Sequence, residues 1–397
     1  MMSLTNTPSA NRLHIAIFGK RNSGKSSLIN AITGQEIALV SDVAGTTTDP
    51  VYKAMEIHGI GPCMLIDTAG FDDTGKLGEQ RVEKTRQAMD KTDVAIVLFG
   101  DCYTDYEQRW IEELNKRKIP VVAVINKGDI LENIPEISQH VWEKFGLKPI
   151  VTSALSRSGI RELIDQLIRA LPEDFEQKSI TAHLVHKDDV VLLVMPQDIQ
   201  APKGRLILPQ VQTIRDLLDN KCVVVSTTTD ELDTALAALA KPPSLIITDS
   251  QAFSTVYSKK PPESKLTSFS VLFAAYKGDL AEFVQGAAAI GSLTEHSRVL
   301  IAEACTHAPL QEDIGRVKIP RALRKRFGEG LQVDLVSGPD FPHDLTPYDL
   351  VIHCGACMFN RKHVLTRVEL AREQKVPITN YGVALAYLTG ILDKITL

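Results

Sequence analysis

The sequence predicts an α/β protein of three domains, each built around a mostly parallel sheet. Two observations predict this fold class. A chain of 397 residues is too long for one ordinary hydrophobic core. From Leu13 onward, short apolar stretches alternate with stretches of amphipathic helical periodicity, and this alternation is typical of parallel sheets covered by helices.

The composition indicates a chain that folds throughout. Hydrophobic residues make up 44% and charged residues 23% of it, and the net charge of -5 argues against a dedicated nucleic-acid-binding protein. No apolar run approaches the roughly 20 residues of a membrane span, and the N-terminus lacks an apolar signal core. We therefore expect a cytoplasmic protein without membrane partners. The six cysteines are too few for a disulfide framework in a chain of this length, so clustered ones predict metal ligands.

A phosphate-binding loop organises the first domain. The apolar run Leu13–Phe18 leads into a G-x-x-x-x-G-K-S loop at 19–26, and a helical pattern follows. A strand, a loop and a helix in this order direct backbone N–H groups at one phosphate. We expect Lys25 to reach the β- and γ-phosphates and the hydroxyl of Ser26 to bind Mg²⁺. The loop residues predicted to bind nucleotide are Asn22, Ser23, Gly24, Lys25, Ser26 and Ser27.

Three further motifs follow the predicted strands of this domain. Asp67 ends the strand Cys63–Asp67 and would hold Mg²⁺ through water, and the N–H of Gly70 would meet the γ-phosphate. The next two motifs, which would bind the base, are Asn126, Lys127 and Asp129 and then Ser153, Ala154 and Leu155. A carboxylate such as that of Asp129 accepts two hydrogen bonds from guanine that adenine cannot supply. The four motifs together predict GTP as the ligand and a P-loop GTPase fold.

At these motifs the first domain resembles the translation-factor-type GTPases of the Era, EngA and TrmE group. The resemblance implies that Thr47 completes the Mg²⁺ coordination and that Asn22 helps to bind K⁺ beside the phosphates. The group usually has Arg at the position of Thr48. Phe71 stands where Ras-type enzymes have a water-orienting Gln. We therefore expect slow hydrolysis of GTP to GDP and phosphate, stimulated by K⁺, with Lys25, Thr47, Asp67 and Gly70 as the catalytic residues.

The rest of the chain repeats the alternation of strands and helices. The strands predicted there are Val190–Met195, Val223–Thr227, Ser244–Thr248, Phe269–Tyr276, Arg298–Cys305, Leu331–Val336 and Asp349–His353. The middle region has no acid, base or nucleophile cluster, and we interpret it as a dimerisation module. We predict a disordered N-terminus, a GTP-binding domain, a linker, a middle dimerisation domain and a metal-binding domain at residues 1–12, 13–172, 173–188, 189–265 and 266–397, respectively.

Cysteine and histidine residues cluster where two predicted strands of the last domain end. Cys305 and His307 lie at the end of one strand, and His353, Cys354 and Cys357 lie at the end of another. If the two strands are neighbours in one sheet, the three thiolates can converge on one metal. The spacing alone leaves zinc and an iron–sulfur cluster both open, because three cysteines and a histidine also form a tetrahedral zinc site.

The combination of an Era-like GTPase domain with C-x-H and H-C-x-x-C motifs resembles the FeFe-hydrogenase maturation GTPase family. The resemblance covers the whole chain and favours iron over zinc. It implies a 4Fe–4S cluster bound by Cys305, Cys354 and Cys357, with a fourth position that is labile or held by another ligand. His307 and His353 are candidates either for that ligand or for hydrogen bonding beside the thiolates.

The resemblance also implies a scaffold and carrier function. The chain would receive a transient diiron precursor from radical-SAM maturases and deliver it to apo FeFe-hydrogenase, as a homodimer in the cytoplasm. GTP hydrolysis would gate partner association or cluster exchange. The alternative that we keep is an RNA or ribosome-assembly GTPase with a structural zinc site, which predicts salt-sensitive RNA binding and zinc in the purified protein.

Overall fold

A computed structural model describes residues 7–34, 50–57, 59–68, 76–171, 179–196, 206–303, 314–338, 340–356 and 359–397, with backbone alone at 76–82. The chain divides into two compact units, Met1–Glu176 and Gln177–Leu397. Within the described ranges, no helix combines the length and the apolar character that crossing a membrane requires.

The first unit contains one mixed sheet. Its strands are β1 (Leu13–Phe18), β2 (Val51–Ile57), β3 (Gly61–Asp67), β4 (Val94–Phe99), β5 (Val121–Ile125) and β6 (Ile150–Val151). They lie in the order β2-β3-β1-β4-β5-β6, with β2 antiparallel to β3 and the other pairs parallel. The carboxyl ends of the parallel strands therefore meet at one edge, as the sequence predicts.

Helices cover both faces of this sheet. They are α1 (Lys25–Thr33), α2 (Lys76–Met89), α3 (Asp105–Lys116), α4 (Ile134–Phe145) and α5 (Ile160–Arg169). Side chains of β1 alternate between two cores: Ile15 and Ile17 face one cluster, and Ala16 and Phe18 face the other. This two-sided burial explains why every residue of β1 except His14 is apolar.

The second unit contains two parallel sheets of four strands each. The strands of the first are β7 (Val190–Val194), β8 (Val223–Thr227), β9 (Leu245–Thr248) and β10 (Lys265–Ser268), in the order β10-β9-β7-β8. The strands of the second are β11 (Arg298–Glu303), β12 (Gln332–Ser337), β13 (Leu350–His353) and β14 (Ile378–Asn380), in the order β12-β11-β13-β14. The predicted mostly parallel character of these domains is confirmed.

The helices of the second unit are α6 (Leu208–Asp219), α7 (Leu232–Ala237), α8 (Phe253–Lys259), α9 (Phe269–Lys277), α10 (Leu280–Ala288), α11 (Ile319–Phe327), α12 (Arg361–Glu373) and α13 (Tyr381–Leu388). Side-chain caps begin several of them. Ser268 accepts a hydrogen bond from the Val271 N–H, and Asn360 accepts one from the His363 N–H, which satisfies N–H groups that a helix start leaves unpaired.

The prediction of a strand at Phe269–Tyr276 is wrong, because this segment forms α9. The helix is buried on two sides. Phe269, Leu272 and Phe273 pack in the core on one face of the β7–β10 sheet, and Val271 and Ala274 pack in the core shared with the β11–β14 sheet. A helix that is apolar on all sides lacks the amphipathic period by which a helix is recognised.

The two sheets of the second unit share a hydrophobic core. Leu192 and Ile246 of the first sheet belong to the same buried cluster as Leu300 and Ile352 of the second. Strand β10 begins at Lys265, so the chain remains in the first sheet across the predicted boundary between residues 265 and 266. The division into three domains stays a prediction from sequence.

Candidate functional site

The loop between β1 and α1 has the backbone conformation of a phosphate cradle. Asn22 and Gly24 both have positive φ, 60° and 87° respectively. A Cβ atom at Gly24 would overlap the Nδ2 atom of Asn126, and the positive φ would strain the backbone of any larger residue. The loop ends at Lys25, the first residue of α1, where the helix N-terminus offers unpaired N–H groups to an anion.

Two side chains of the loop indicate that it is built for a ligand. Lys25 Nζ donates hydrogen bonds to the carbonyl oxygens of Gly19 (2.8 Å) and Lys20 (2.9 Å), so its amino group lies over the loop. The Ser23 hydroxyl is buried and makes no hydrogen bond with the described residues. Buried polar atoms are normally satisfied, and a phosphate oxygen would satisfy this one.

Ser26 and Asp67, the two described residues predicted to bind Mg²⁺, are in direct contact. Ser26 Oγ donates a hydrogen bond of 2.7 Å to Asp67 Oδ2. Burial raises the pKa of Asp67, and the bond from Ser26 and the charge of Lys25 oppose this shift. A hydroxyl and a carboxylate are the hard oxygen donors that Mg²⁺ requires, so the residues present fit that ion.

Asn126 connects the phosphate loop to the predicted base-binding loops. Its Nδ2 atom donates to the carbonyl oxygens of Ser23 (3.2 Å) and Gly24 (3.3 Å), and its Oδ1 atom accepts from the hydroxyl of Thr152 (3.2 Å). Lys127 has a positive φ of 62°. Asn126 therefore joins two segments that are predicted to bind nucleotide, through hydrogen bonds that are buried or partly buried.

The residues predicted to bind guanine lie on adjacent loops. Asp129 is exposed, as is Leu155. The Gly128 N–H donates to the carbonyl oxygen of Thr152 (2.9 Å), which joins the two loops. The Ser153 N–H donates to Ser158 O (3.1 Å), so the N–H groups that remain for a base carbonyl are those of Ala154 and Leu155.

Several predicted site residues lie outside the described residues. They are Thr47, Gly70, Cys305, His307 and Cys357. Their assigned roles stay predictions, and so does the role of Phe71 in the rate of hydrolysis. No group of three or more metal-binding side chains occurs within the described ranges, and of the predicted cluster set these ranges include His353 and Cys354.

The two strands that precede the cysteine motifs are parallel neighbours. Ala302 of β11 pairs with His353 of β13, and the Cys354 N–H donates to the carbonyl oxygen of Ala302 (2.9 Å). The pairing confirms that the two strands are neighbours in one sheet, which is the condition for the cysteines to converge on one metal. Cys354 is half-buried, and its sulfur accepts a hydrogen bond from the Ala356 N–H (3.4 Å). A soft thiolate ligand with an N–H···S contact suits an iron–sulfur cluster.

Both ring nitrogens of His353 have partners in the protein. Nδ1 lies 2.7 Å from the carbonyl oxygen of Cys354 and donates to it, and Nε2 accepts from Nη1 of Arg367 (3.1 Å). Burial, together with the charge of Arg367, lowers the pKa of His353 to about 3. The ring is therefore neutral at pH 7, and it supports the backbone of the predicted cluster ligand Cys354.

Sequence reasoning missed Lys277, which also contacts the cysteine loop. This residue ends α9 and is 2% exposed. Its Nζ atom donates to the carbonyl oxygens of Ala356 (3.2 Å) and Phe359 (2.8 Å). The signal in the sequence is weak: a single lysine that closes an apolar stretch. Nothing in the sequence indicates that the stretch ends beside Cys354.

Comparison with known families identifies the second unit. The model of the hydrogen maturase F dimerization domain matches residues 180–278, and that of the tetramerization domain matches residues 281–396. The two matches together cover more than half of the chain. This chain belongs to the hydrogen maturase F family. The suspected resemblance to hydrogenase maturation GTPases is thereby confirmed, and the presence of both domains indicates an oligomer.

The first unit of this hydrogen maturase F protein is a GTPase domain. The model of the 50S ribosome-binding GTPase matches residues 14–127. GTPase Der of Wolinella succinogenes is 33% identical over 182 residues, which are 43% of this chain and 38% of the relative. The tRNA modification GTPase MnmE of Endomicrobium trichonymphae is 35% identical over 166 residues, which are 40% of this chain and 35% of the relative. The chain thus spans well under half the length of these two relatives.

A solved structure of Era from Aquifex aeolicus is also similar to this chain. It has a TM-score of 0.37 and 19% identity, and the match covers 57% of this chain and 98% of Era. The predictions of a P-loop GTPase fold and of a GTPase with GTP and Mg²⁺ as ligands are confirmed by the family match and by the GTPase relatives.

Proposed function

We propose that this hydrogenase maturation GTPase binds a 4Fe–4S cluster and delivers a diiron precursor to apo FeFe-hydrogenase. The observation that carries the proposal is the parallel pairing of β11 with β13. Cys354 directly follows β13, and Cys305 follows β11 by two residues in sequence. Loops after neighbouring parallel strands open at the same edge of a sheet, which supports convergence of the thiolates of Cys305, Cys354 and Cys357.

Three protein thiolates suit a carrier. A cluster with three cysteine ligands has one iron whose remaining ligand can be exchanged, and it is there that a second metal unit could be attached and released. In this proposal His353 orients Cys354 through its hydrogen bond to the Cys354 carbonyl oxygen (2.7 Å). Ligation of iron by His353 would require the loss of one of its two hydrogen bonds, which leaves His307 as the better candidate for the fourth position.

The GTPase domain would act as the switch. Lys25 and the α1 N-terminus bind the phosphates, Ser26 and Asp67 with Thr47 hold Mg²⁺, and Gly70 senses the γ-phosphate. Hydrolysis is slow, because Phe71 cannot orient water, and Asn22 contributes to stimulation by K⁺. Loss of the γ-phosphate then releases the loops that contain Thr47 and Gly70, and this gates partner association or cluster exchange.

The proposed partners follow from the proposed cargo. Radical-SAM maturases supply the diiron precursor, apo FeFe-hydrogenase receives it, and the carrier acts as a homodimer or larger assembly in the cytoplasm. The family matches to dimerization and tetramerization domains support the assembly.

Metal analysis of anaerobically purified protein tests the proposal. After reconstitution with iron and sulfide, we expect about four irons per chain and a reducible cluster detected by EPR. The variant Cys354→Ser should lose this signal. The matched control is Cys102→Ser, because Cys102 is a free, exposed cysteine outside the motifs. One zinc per chain without a reducible cluster would refute the iron assignment and favour the ribosome-assembly alternative.

A further inference from the structure

The end of α9 is tied to the loop that contains two of the proposed cluster ligands. Lys277 Nζ donates to the carbonyl oxygens of Ala356 (3.2 Å) and Phe359 (2.8 Å). These two residues flank Cys357 in sequence. A lysine that is 2% exposed is costly to bury unless its amino group is well hydrogen-bonded, so this contact is a specific feature of the fold.

Ala356 connects this contact to the sulfur of Cys354. The carbonyl oxygen of Ala356 accepts from Lys277, and the N–H of the same residue donates to Cys354 Sγ (3.4 Å). Ala356 also has a positive φ of 47°, which non-glycine residues seldom adopt without support from their surroundings. Lys277 supplies that support, and through Ala356 it reaches the thiolate.

A second set of hydrogen bonds has its donor after the cysteine loop and its acceptors at the end of α9. Arg361, the first residue of α12, donates through Nη1 to the carbonyl oxygens of Tyr276 (3.1 Å) and Gly278 (3.0 Å). Further along the same helix, Arg372 forms ion pairs with Asp279 (3.0 Å) and Glu282 (2.9 Å). The corner between α9 and α10 is therefore fixed to the segment that immediately follows the cysteine loop.

We propose that Lys277 is a positioning residue for the iron–sulfur cluster, because it holds the carbonyl groups of Ala356 and Phe359, and the N–H of Ala356 contacts the sulfur of Cys354. This inference rests on the proposed function. An ammonium group at this position would also stabilise the reduced state of a bound cluster, which carries one more negative charge than the oxidised state. Lys277 belongs to the dimerization-domain match and Cys354 to the tetramerization-domain match, so the helix joins the two.

The first test uses apo-protein and needs no cluster. Lys277→Met keeps the aliphatic stem and removes the donors. We expect iodoacetamide to alkylate Cys354 at least about tenfold faster in this variant, because loss of hydrogen bonds from a charged group frees the backbone of Ala356 that contacts its sulfur. Mass spectrometry measures the rates, with Cys102 as the internal reference. The control is Lys260→Met, which removes similar hydrogen bonds to Ser264 O (2.8 Å) and Pro261 O (3.1 Å) elsewhere in the unit.

The second test uses the reconstituted cluster. Redox titration followed by EPR should show a more negative midpoint potential in Lys277→Met than in wild type and Lys260→Met. Unchanged labelling and an unchanged potential would overturn the inference. A wild-type protein that binds no cluster would instead refute the proposed function, and the labelling result would still decide whether Lys277 holds the loop.

If Lys277→Met does not fold, hydrogen exchange of the wild-type protein supplies the test. The amides of Ala356 and Phe359 should exchange as slowly as those of α9, because the hydrogen bonds from Lys277 hold these two residues in place. Exchange at the rate of an unstructured loop would overturn the inference.

Discussion

Ser26 Oγ donates a 2.7 Å hydrogen bond to Asp67 Oδ2, although the two residues are 41 positions apart in sequence. The contact arises because β1 and β3 are parallel neighbours in which Ile17 pairs with Asp67, so the loops after both strands open at one edge. Burial raises the pKa of Asp67. A bound divalent cation would favour the ionised carboxylate, which connects this pair to Mg²⁺.

The variant Ser26→Ala tests this connection. We expect the Mg²⁺ concentration for half-maximal GTP hydrolysis to rise at least about tenfold, because a direct oxygen ligand is lost while Asp67 remains buried. Phosphate release measured against Mg²⁺ concentration reports the effect. Ser26→Thr keeps the hydroxyl and is the matched control. An equal Mg²⁺ requirement in Ser26→Ala and wild type would contradict the assignment.

Asn22 can be tested without disturbing the backbone. Its φ of 60° is one that glycine adopts at no cost, so Asn22→Gly removes the side chain and keeps the loop. Wild-type protein should hydrolyse GTP faster in KCl than in an equal concentration of NaCl, and Asn22→Gly should hydrolyse it at one rate in both salts. Stimulation by K⁺ that survives in the variant would remove Asn22 from its proposed role.

Strand β8 is an edge strand suited to pairing with a second copy of the chain. It pairs with β7 on one side, and Val223 is 54% exposed. The Val223 N–H donates to Asp189 O (2.8 Å) toward β7, so alternation along the strand directs the Ser226 N–H outward. Proline is tolerated in an edge strand at such a position, and it blocks further pairing.

We therefore expect Ser226→Pro to fold and to form a smaller assembly than the wild type. Sedimentation equilibrium measures the mass, and circular dichroism checks the fold. Ser226→Thr, which retains the N–H and suits a strand, should assemble normally. An unchanged mass for Ser226→Pro would show that the dimerization domain uses another surface.

The structure shows which features of the fold a single sequence can reveal. Strand β1 was predictable to the residue, because burial on both faces produces an apolar run that ends at a glycine loop. Burial on two sides had the opposite effect on α9, because its apolar sequence Phe269–Tyr276 is equally typical of a strand. The one local signal was Ser268, the residue that caps the helix.

The candidate sites also contain features that the sequence reveals and features that it does not. The nucleotide motifs are local, since each is a short segment at a strand end, and their order along the chain predicts that they meet. Lys277 contacts residues about 80 positions later, and this depends on how α9 packs against the cysteine loop. The hydrogen bond between Arg367 and His353 has the same origin, and no spacing in the sequence indicates it.

His14 makes the stability of the first unit sensitive to pH. This residue of β1 is 5% exposed, and its Nδ1 atom donates to the carbonyl oxygen of Arg12 (2.9 Å). Burial, with the nearby charges of Lys91 and Arg12, lowers the pKa of His14 from 6.5 to about 4. The carboxylate of Asp93, 3.8 Å from the ring, accepts the backbone N–H of His14.

The sign of the pH effect follows from these two pKa values. Between pH 6.5 and 4 the unfolded chain binds a proton at His14 that the folded chain does not, so the free energy of unfolding decreases as the pH falls through this window. The full effect is about 3 kcal/mol.

His14→Asn keeps an N–H donor for Arg12 and cannot titrate, so calorimetry between pH 7 and pH 5 should show a smaller loss of stability than in wild type. His186→Asn, at a histidine whose side chain is 90% exposed, should behave like wild type. If His14→Asn loses as much stability on acidification as the wild type does, His14 is not the group that titrates.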